Sequence, residues 1–202
     1  EADYVEGNGW QYTFLVPHDV EGLIELFGSK QKFTDKLDSL FTVSSVLNEG
    51  ASIDISGLIG QYAHGNEPSH STIYLYQYVD RADKTAERVR QVLEEMYKPT
   101  PAGLCGNDDC GQMSAWYVMS ALGIYPMNPV NGEYVFGSPI VHNAVIQLEN
   151  GNKFIIEAKN NSEKNKYIQS VKINGKMVYG KAISFNQLMN GGKLEFRMSD
   201  KK

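Results

Sequence analysis

The hydrophobic period of this chain changes once, near Pro126, and that change limits the fold more than any other feature. Before it, apolar residues recur at helical spacing. Phe33, Leu37, Leu40 and Phe41 fall at i, i+4, i+7 and i+8, and Val89, Val92, Leu93, Met96 and Tyr97 form a second stripe with Arg88, Arg90, Glu94 and Glu95 outside it. Shorter helical stretches are expected at Asp3–Phe14, Val20–Phe27, Leu58–Ala63, Thr72–Val79 and Gln112–Leu122, about seven helices in all and no strand among them. After Pro126 the period is two. Lys193–Met198 alternates, Val145–Leu148 and Lys153–Ala158 flank Asn150-Gly151, and Tyr167–Ile173 and Lys176–Tyr179 flank Asn174-Gly175. Two hairpins with type I′ turns are therefore expected among about six short antiparallel strands between Glu133 and Met198. Helices followed by strands make an α+β chain: a helical portion over 1–128 and an antiparallel β region over 129–202, meeting within Pro126–Gly132.

Composition narrows the function classes. With 202 residues, 42% hydrophobic and 21% charged, the chain is long and apolar enough for a real core. A net charge of −5 and the lack of a Lys/Arg stripe argue against a nucleic-acid partner, since phosphate binding rests on clustered cations. No apolar run approaches the roughly 20 residues of a membrane span. The chain opens on Glu1, as a processed chain or a piece of a longer protein does. Twelve Tyr against eight Phe suit apolar surfaces that stay wet, as in many sugar binders and many cores.

Three segments hold more Gly, Asn and carboxylate than helices favour: Glu6–Tyr12, His64–His70 and Gly106–Gln112. Each sits at the mouth of an expected helix and together they supply Glu6, Glu67, Asp108 and Asp109. Such acids can bind a hard cation or divide into a general acid and a general base. Each segment also has a structural reading. Gly65-Asn66-Glu67-Pro68 suits a helix stop and start, and Asn107-Asp108-Asp109 an N-cap with first-turn acids. By residue chemistry alone, Trp10 and Trp116 read as core, and His18 and His64 as hydrogen-bonded loop residues. Cys105 and Cys110, spaced C-x4-C, suit either a small-loop disulfide or two thiols. The Asn160-Asn161-Ser162 sequon matters only in a eukaryotic secretory host. No phosphate loop, H-E-x-x-H, G-x-S-x-G or paired C-x-x-C is present.

The ordered set VEGNGWQY (Val5–Tyr12), VPHD (Val16–Asp19), HGNEPSH (His64–His70) and GLCGNDDCGQMSAWY (Gly103–Tyr117) closely resembles the calcium-dependent inverting exo-α-mannosidases of glycoside hydrolase family 92. GEYVFGSP at Gly132–Pro139 extends the resemblance over nearly the whole chain. It implies Glu6 as general acid, Asp109 as general base and Asn107 at a position where the family can carry an acid that assists the base. It implies Ca²⁺ held by Asn66, Glu67 and Asp109, and substrate contacts from Trp10, His18, Asp19 and His64. It also implies cleavage of α-1,2-linked mannose, a mannose-containing glycan as partner, and a periplasmic or secreted location.

Members of that family are several times longer, pairing an N-terminal β-sandwich with an (α/α)6 barrel of six helical hairpins. The resemblance therefore makes this chain a C-terminal catalytic-region fragment: the last barrel helices followed by a small antiparallel β-sheet or sandwich region. Its further partner would be the missing N-terminal part of the same enzyme. The fragment alone is expected to be inactive and to self-associate, with Trp10, Tyr74 and Tyr78 uncovered. Competing readings are a non-catalytic calcium-dependent carbohydrate-binding module and a purely structural domain.

Overall fold

A computed structural model describes residues 3–128 and 130–202. Pro129, on the expected division between 1–128 and 129–202, lies outside the described residues, as do Glu1 and Ala2. The helical part is carried by α1 (Gly9–Tyr12), α2 (Val20–Leu26), α3 (Lys30–Thr42), α4 (Ala82–Glu95) and α5 (Gln112–Leu122). Both expected stripes face one core, with Met96 and Tyr97 only partly buried at its edge. Phe33, Leu37, Leu40 and Phe41 of α3 meet Val89, Val92 and Leu93 of α4 in one core with Phe14, Tyr62, Tyr74, Tyr76 and Trp116. Asn8, Asp19 and Ser29 cap α1, α2 and α3 with their side chains, and Gly123 at φ 85 ends α5.

Three expected helices differ. The Asp3–Phe14 stretch shortens to the single turn of α1, because Gly7, Asn8 and Gly9 favour turn conformations and the Asn8 side chain caps the helix at its start. Leu58–Ala63 is not helical but a hairpin, β1 (Leu58–Ile59) against β2 (Tyr62–Ala63), turning through Gly60 at φ 61. A Cβ on Gly60 would lie 2.6 Å from the carbonyl carbon of Phe41, so the turn is pressed onto the end of α3. Thr72–Val79 winds as a 3₁₀ helix and stops at Asp80, φ 60. Its run of β-branched and aromatic residues is a poor α-helix former.

The switch to strands falls at Gly123, ahead of Pro126. β3 (Ile124–Asn128) pairs with β4 (Glu133–Phe136), and β4 with β9 (Ala182–Ser184), all antiparallel. Pro126 sits where the β3 register shifts, a place where a ladder tolerates proline. The second sheet has the order β5 (Asn143–Gln147), β6 (Lys153–Lys159), β10 (Gly192–Ser199), β7 (Tyr167–Ile173), β8 (Lys176–Val178). Among the described residues seven strands, β4 to β10, thus lie from Glu133 onward, more than the six expected, and one pair is parallel. β10 enters between β6 and β7, which run in opposite senses, so it must lie parallel to one of them; it does so with β6. A short helix, α6 (Phe185–Met189), precedes it. The Asn174-Gly175 turn has φ 50 and 80 and is type I′ as expected. At Asn150-Gly151 only the glycine has positive φ, and Leu148 donates to the Asn152 carbonyl at 2.9 Å, so this connection is a longer loop.

The two parts share a packed seam. Tyr125 and Met127 of β3 join the helical core, while Ile124 joins the strand core of Phe136, Phe154, Ile156, Leu194 and Phe196. Arg90 reaches across from α4 to Ser138 Oγ at 2.9 Å, Asn161 Oδ1 at 2.6 Å and the Pro139 carbonyl. Burial pushes its guanidinium down to about 10. Tyr74, expected to be uncovered, is fully buried and stacks on Tyr125 at 4.6 Å. Trp10 and Tyr78 are half-buried, with Lys36 and Lys181 over their rings at 3.6 and 3.9 Å.

Candidate active site

The three acid-bearing segments converge because glycine lets two of them touch. A Cβ on Gly106 would come within 2.5 Å of the Gly65 Cα and 2.7 Å of its carbonyl carbon, and one on Gly57 within 3.1 Å of the Cys105 Cβ. The backbone of Gly65 therefore lies directly against that of Cys105 and Gly106. The first segment is tied on by side chains. Asn66 Nδ2 donates to the Glu6 carbonyl at 2.7 Å, and the Tyr12 hydroxyl donates to the Val5 carbonyl at 2.6 Å. Asn8 Nδ2 and Gln11 Nε2 both reach Gln61, at 3.1 and 2.5 Å.

Glu6, Glu67 and Asp109 are brought together by this framework. Desolvation, then a side-chain contact with Asp109 and the charges of Asp109 and Glu6, raise the Glu67 carboxyl above its ordinary value. The ionisable groups that act on Glu67 are all acids, an arrangement that favours either a shared proton or a hard cation. Among the described residues no three His, Cys, Asp or Glu side chains form a ready metal cluster, so an ion here would also take carbonyl, amide or water oxygens.

Two of the three acids stand on strained backbone. Glu6 has φ 55 and Asp109 φ 46, and Cys110 and Gly111 continue at φ 57 and 98. A left-handed residue other than glycine costs roughly 1–2 kcal/mol and persists only where its surroundings determine it. Asn107 contributes through its Oδ1, which accepts the Asp109 N–H at 3.4 Å. Asp108 turns the other way: its Oδ1 accepts from the Ser114 N–H at 2.8 Å and the Ser114 hydroxyl at 2.9 Å, bracing the start of α5. Cys105 and Cys110 are free thiols. Cys110 is exposed, and burial pushes the Cys105 thiol up to about 11.

The expected sugar contacts do not gather here. His64 is fully buried. Its ring nitrogens lie 2.8 Å from the Tyr62 hydroxyl and 2.7 Å from the Tyr97 hydroxyl, and Trp116 packs on it at 4.3 Å. Burial, with His70 adding to it, holds the His64 imidazole well below its ordinary value, and the ring, with no exposed surface, supports the loop from beneath. His18 and Asp19 line a groove of about 1080 Å³ with Tyr78, Asp80, Asn131 and Tyr179, and none of the three acids lines it. Asp19 also caps α2, its Oδ1 accepting from Gly22 N–H at 2.9 Å. Trp10 lines a separate hollow of about 580 Å³ with Asn8, Lys36 and Gln61. Sequence reasoning passes over His70 and Gln112, which lie beneath Asp109. The clue is the position of His70 between the Pro68 turn and the apolar run Ile73–Leu75, which turns its ring inward.

Comparisons with known proteins show the family and the fold. Residues 1–200 match the family profile described as the glycosyl hydrolase family 92 catalytic domain. A family GH92 alpha-mannosidase from Bacteroides thetaiotaomicron, solved in complex with mannoimidazole, aligns with a TM-score of 0.91 at 40% identity, covering 96% of this chain and 26% of that one. A family GH92 inverting mannosidase from the same bacterium aligns with a TM-score of 0.84 at 35% identity, over 98% of this chain and 28% of that one. An uncharacterized secreted glycosidase of Arthroderma benhamiae is 31% identical over 196 residues, 96% of this chain and 23% of its own length. The chain thus spans about a quarter of the length of these relatives. With a profile match over nearly every residue, the chain belongs to glycosyl hydrolase family 92.

Proposed function

We propose that this chain is the C-terminal catalytic-region segment of a secreted or periplasmic exo-α-mannosidase that cleaves α-1,2-linked mannose with inversion. In this reading α3, α4 and α5 are late helices of an (α/α)6 barrel completed by the rest of the enzyme. The observation that carries it is the convergence of Glu6, Glu67 and Asp109 from segments far apart in sequence. An inverting glycosidase needs one protonated carboxyl to protonate the leaving oxygen and one carboxylate to activate water on the opposite face, roughly 6.5–9.5 Å apart. Glu6 takes the first role and Asp109 the second, with Asn107 steadying the Asp109 backbone. The names of the two Bacteroides relatives support the mannosidase reading, and one supports inversion.

Glu67 and Asp109, with Asn66 beside them, offer oxygens suited to Ca²⁺. The ion, when bound, would engage sugar hydroxyls and favour the flattened ring of the oxocarbenium-like transition state. Glu6→Gln in the full-length enzyme tests the assignment. The rate on a mannoside with a poor leaving group should fall by about 10²–10⁴-fold, and far less on an activated aryl mannoside that needs no proton. Equal losses on both substrates would refute proton donation by Glu6. Mannose release that is indifferent to both Glu6→Gln and calcium chelation would overturn the reading altogether.

A further inference from the structure

Beneath Asp109 lies a hydrogen-bonded node that none of these roles uses. His70, 2% exposed, closes the 3₁₀ turn Glu67–Ser69. Its backbone carbonyl accepts from Trp116 Nε1 of α5 at 2.9 Å. Its ring bridges two segments, with Nε2 3.0 Å from the His64 carbonyl and Nδ1 3.3 Å from Gln112 Nε2. This pattern determines the tautomer. A carbonyl only accepts, so Nε2 carries the proton, Nδ1 keeps its lone pair, and the Gln112 amide donates to it. Gln112 is the first residue of α5, and its backbone N–H donates to the Asp109 carbonyl at 3.3 Å. Gly111, which precedes it, has no side chain with which to cap the helix.

We propose that His70 and Gln112 are a positioning pair that holds Asp109 in register with Glu67; the proposal rests on the functional reading above. Asp109, Cys110 and Gly111 stand in three consecutive left-handed conformations that α5 alone does not enforce. The Asp108–Ser114 bonds brace one side of that turn, and the Gln112–His70 bond braces the other. The same histidine is joined in sequence to Glu67 through Pro68 and Ser69. One imidazole therefore ties the loop of the water-activating carboxylate to the loop of its acidic neighbour.

The two nitrogens of the ring can be replaced one at a time. Asparagine sets an oxygen near the place of Nδ1 and keeps an acceptor for Gln112. Glutamine sets an amide N–H near the place of Nε2, keeps the donor to the His64 carbonyl and loses that acceptor. In the full-length enzyme, His70→Gln and Gln112→Ala should each lower kcat by about 10–100-fold with KM moving less than about 3-fold. The double variant should be no slower than the slower single, because both remove one contact. His70→Asn should stay within about 5-fold of the parent, with a Tm matching that of His70→Gln. Equal kcat losses in His70→Asn and His70→Gln, or an unchanged Gln112→Ala, overturn the proposal. Gln112 is only half-buried, so its variant remains informative should the His70 variants fail to fold. Hydrogen exchange at the 109–112 amides separates this proposal from the functional reading. Faster exchange in Gln112→Ala supports the pair even in a parent that releases no mannose, and unchanged exchange refutes it.

Discussion

Gly106→Ala directly tests whether the two acid-bearing loops must touch. The new methyl would press hardest on the Gly65 carbonyl oxygen and would lie 2.5 Å from the Gly65 Cα and 2.7 Å from its carbonyl carbon, whereas ordinary contact begins at 3.4 Å. At the Cα alone the shortfall, 3.4 minus 2.5, is about 0.9 Å, and all three obstructing atoms are backbone that cannot swing aside. Overpacking of this kind costs about 1–3 kcal/mol, which a domain of this size survives. Catalysis is less tolerant. Separating the Asp109 loop from the Glu67 loop by nearly 1 Å should lower kcat by about 10²-fold, because a displacement of that size spoils the attack geometry. The assay is mannose release by the full-length protein alongside urea unfolding. Gly180→Ala is the control, since nothing lies within 4 Å of its Cβ and its φ is outside the left-handed region. A Gly106→Ala enzyme with the parent's kcat would refute the claim that backbone contact sets the carboxylates.

The buried polar groups have further consequences. Burial holds His64 and His70 below the ordinary histidine value of 6.5, so the unfolded state binds more protons than the folded one. Stability should be full above that value and fall below it by up to about 1.4 kcal/mol per pH unit for each histidine; Glu67, raised in the folded state, opposes this as one less buried group, and melts that stay flat from about pH 7.5 to about 5.5 would refute it. Arg90→Met should destabilise the chain by about 2–4 kcal/mol in urea unfolding by stranding Ser138, Asn161 and the Pro139 carbonyl at the seam, and a change below about 0.5 kcal/mol would show the seam does not need it. Alkylation near neutral pH should modify Cys110 well before Cys105, whose half-buried thiol is pushed up to about 11; two equally reactive thiols, or none, would contradict the structure.

Much of the fold is legible locally. The stripes of α3 and α4 and the alternation of Lys193–Met198 each face one core, so periodicity alone identifies them. The departures come from contacts distant in sequence. Within Leu58–Ala63 only Gly60 separates a hairpin from a helical turn, and what presses it into the turn is the distant backbone of Leu40 and Phe41. The parallel pairing of β10 arises from insertion between two strands already antiparallel to each other, a property of the sheet and not of residues 192–199. Tyr74 is covered by β3, which the helical count alone cannot foresee.

The site shows the same division in a sharper form. Asp108 and Asp109 are adjacent and chemically identical, yet one braces a helix and the other faces Glu67. Backbone conformation separates them. Asp109, at φ 46, sets its carboxylate beside Glu67, while Asp108 reaches Ser114 six residues on. The histidines divide likewise. His64 and His70 share one motif, yet tyrosine hydroxyls hold both nitrogens of His64, whereas His70 keeps one nitrogen for Gln112. A sequence names the residue types that chemistry needs, but which of two identical neighbours does the chemistry depends on the strain that long-range contacts impose. Here those contacts are the Gly65–Gly106 approach, the Asn66 bond to the Glu6 carbonyl and the His70 bond to Gln112. Each fixes a backbone and so aims a carboxylate without itself being one, and loosening any of them should impair turnover before it unfolds the chain.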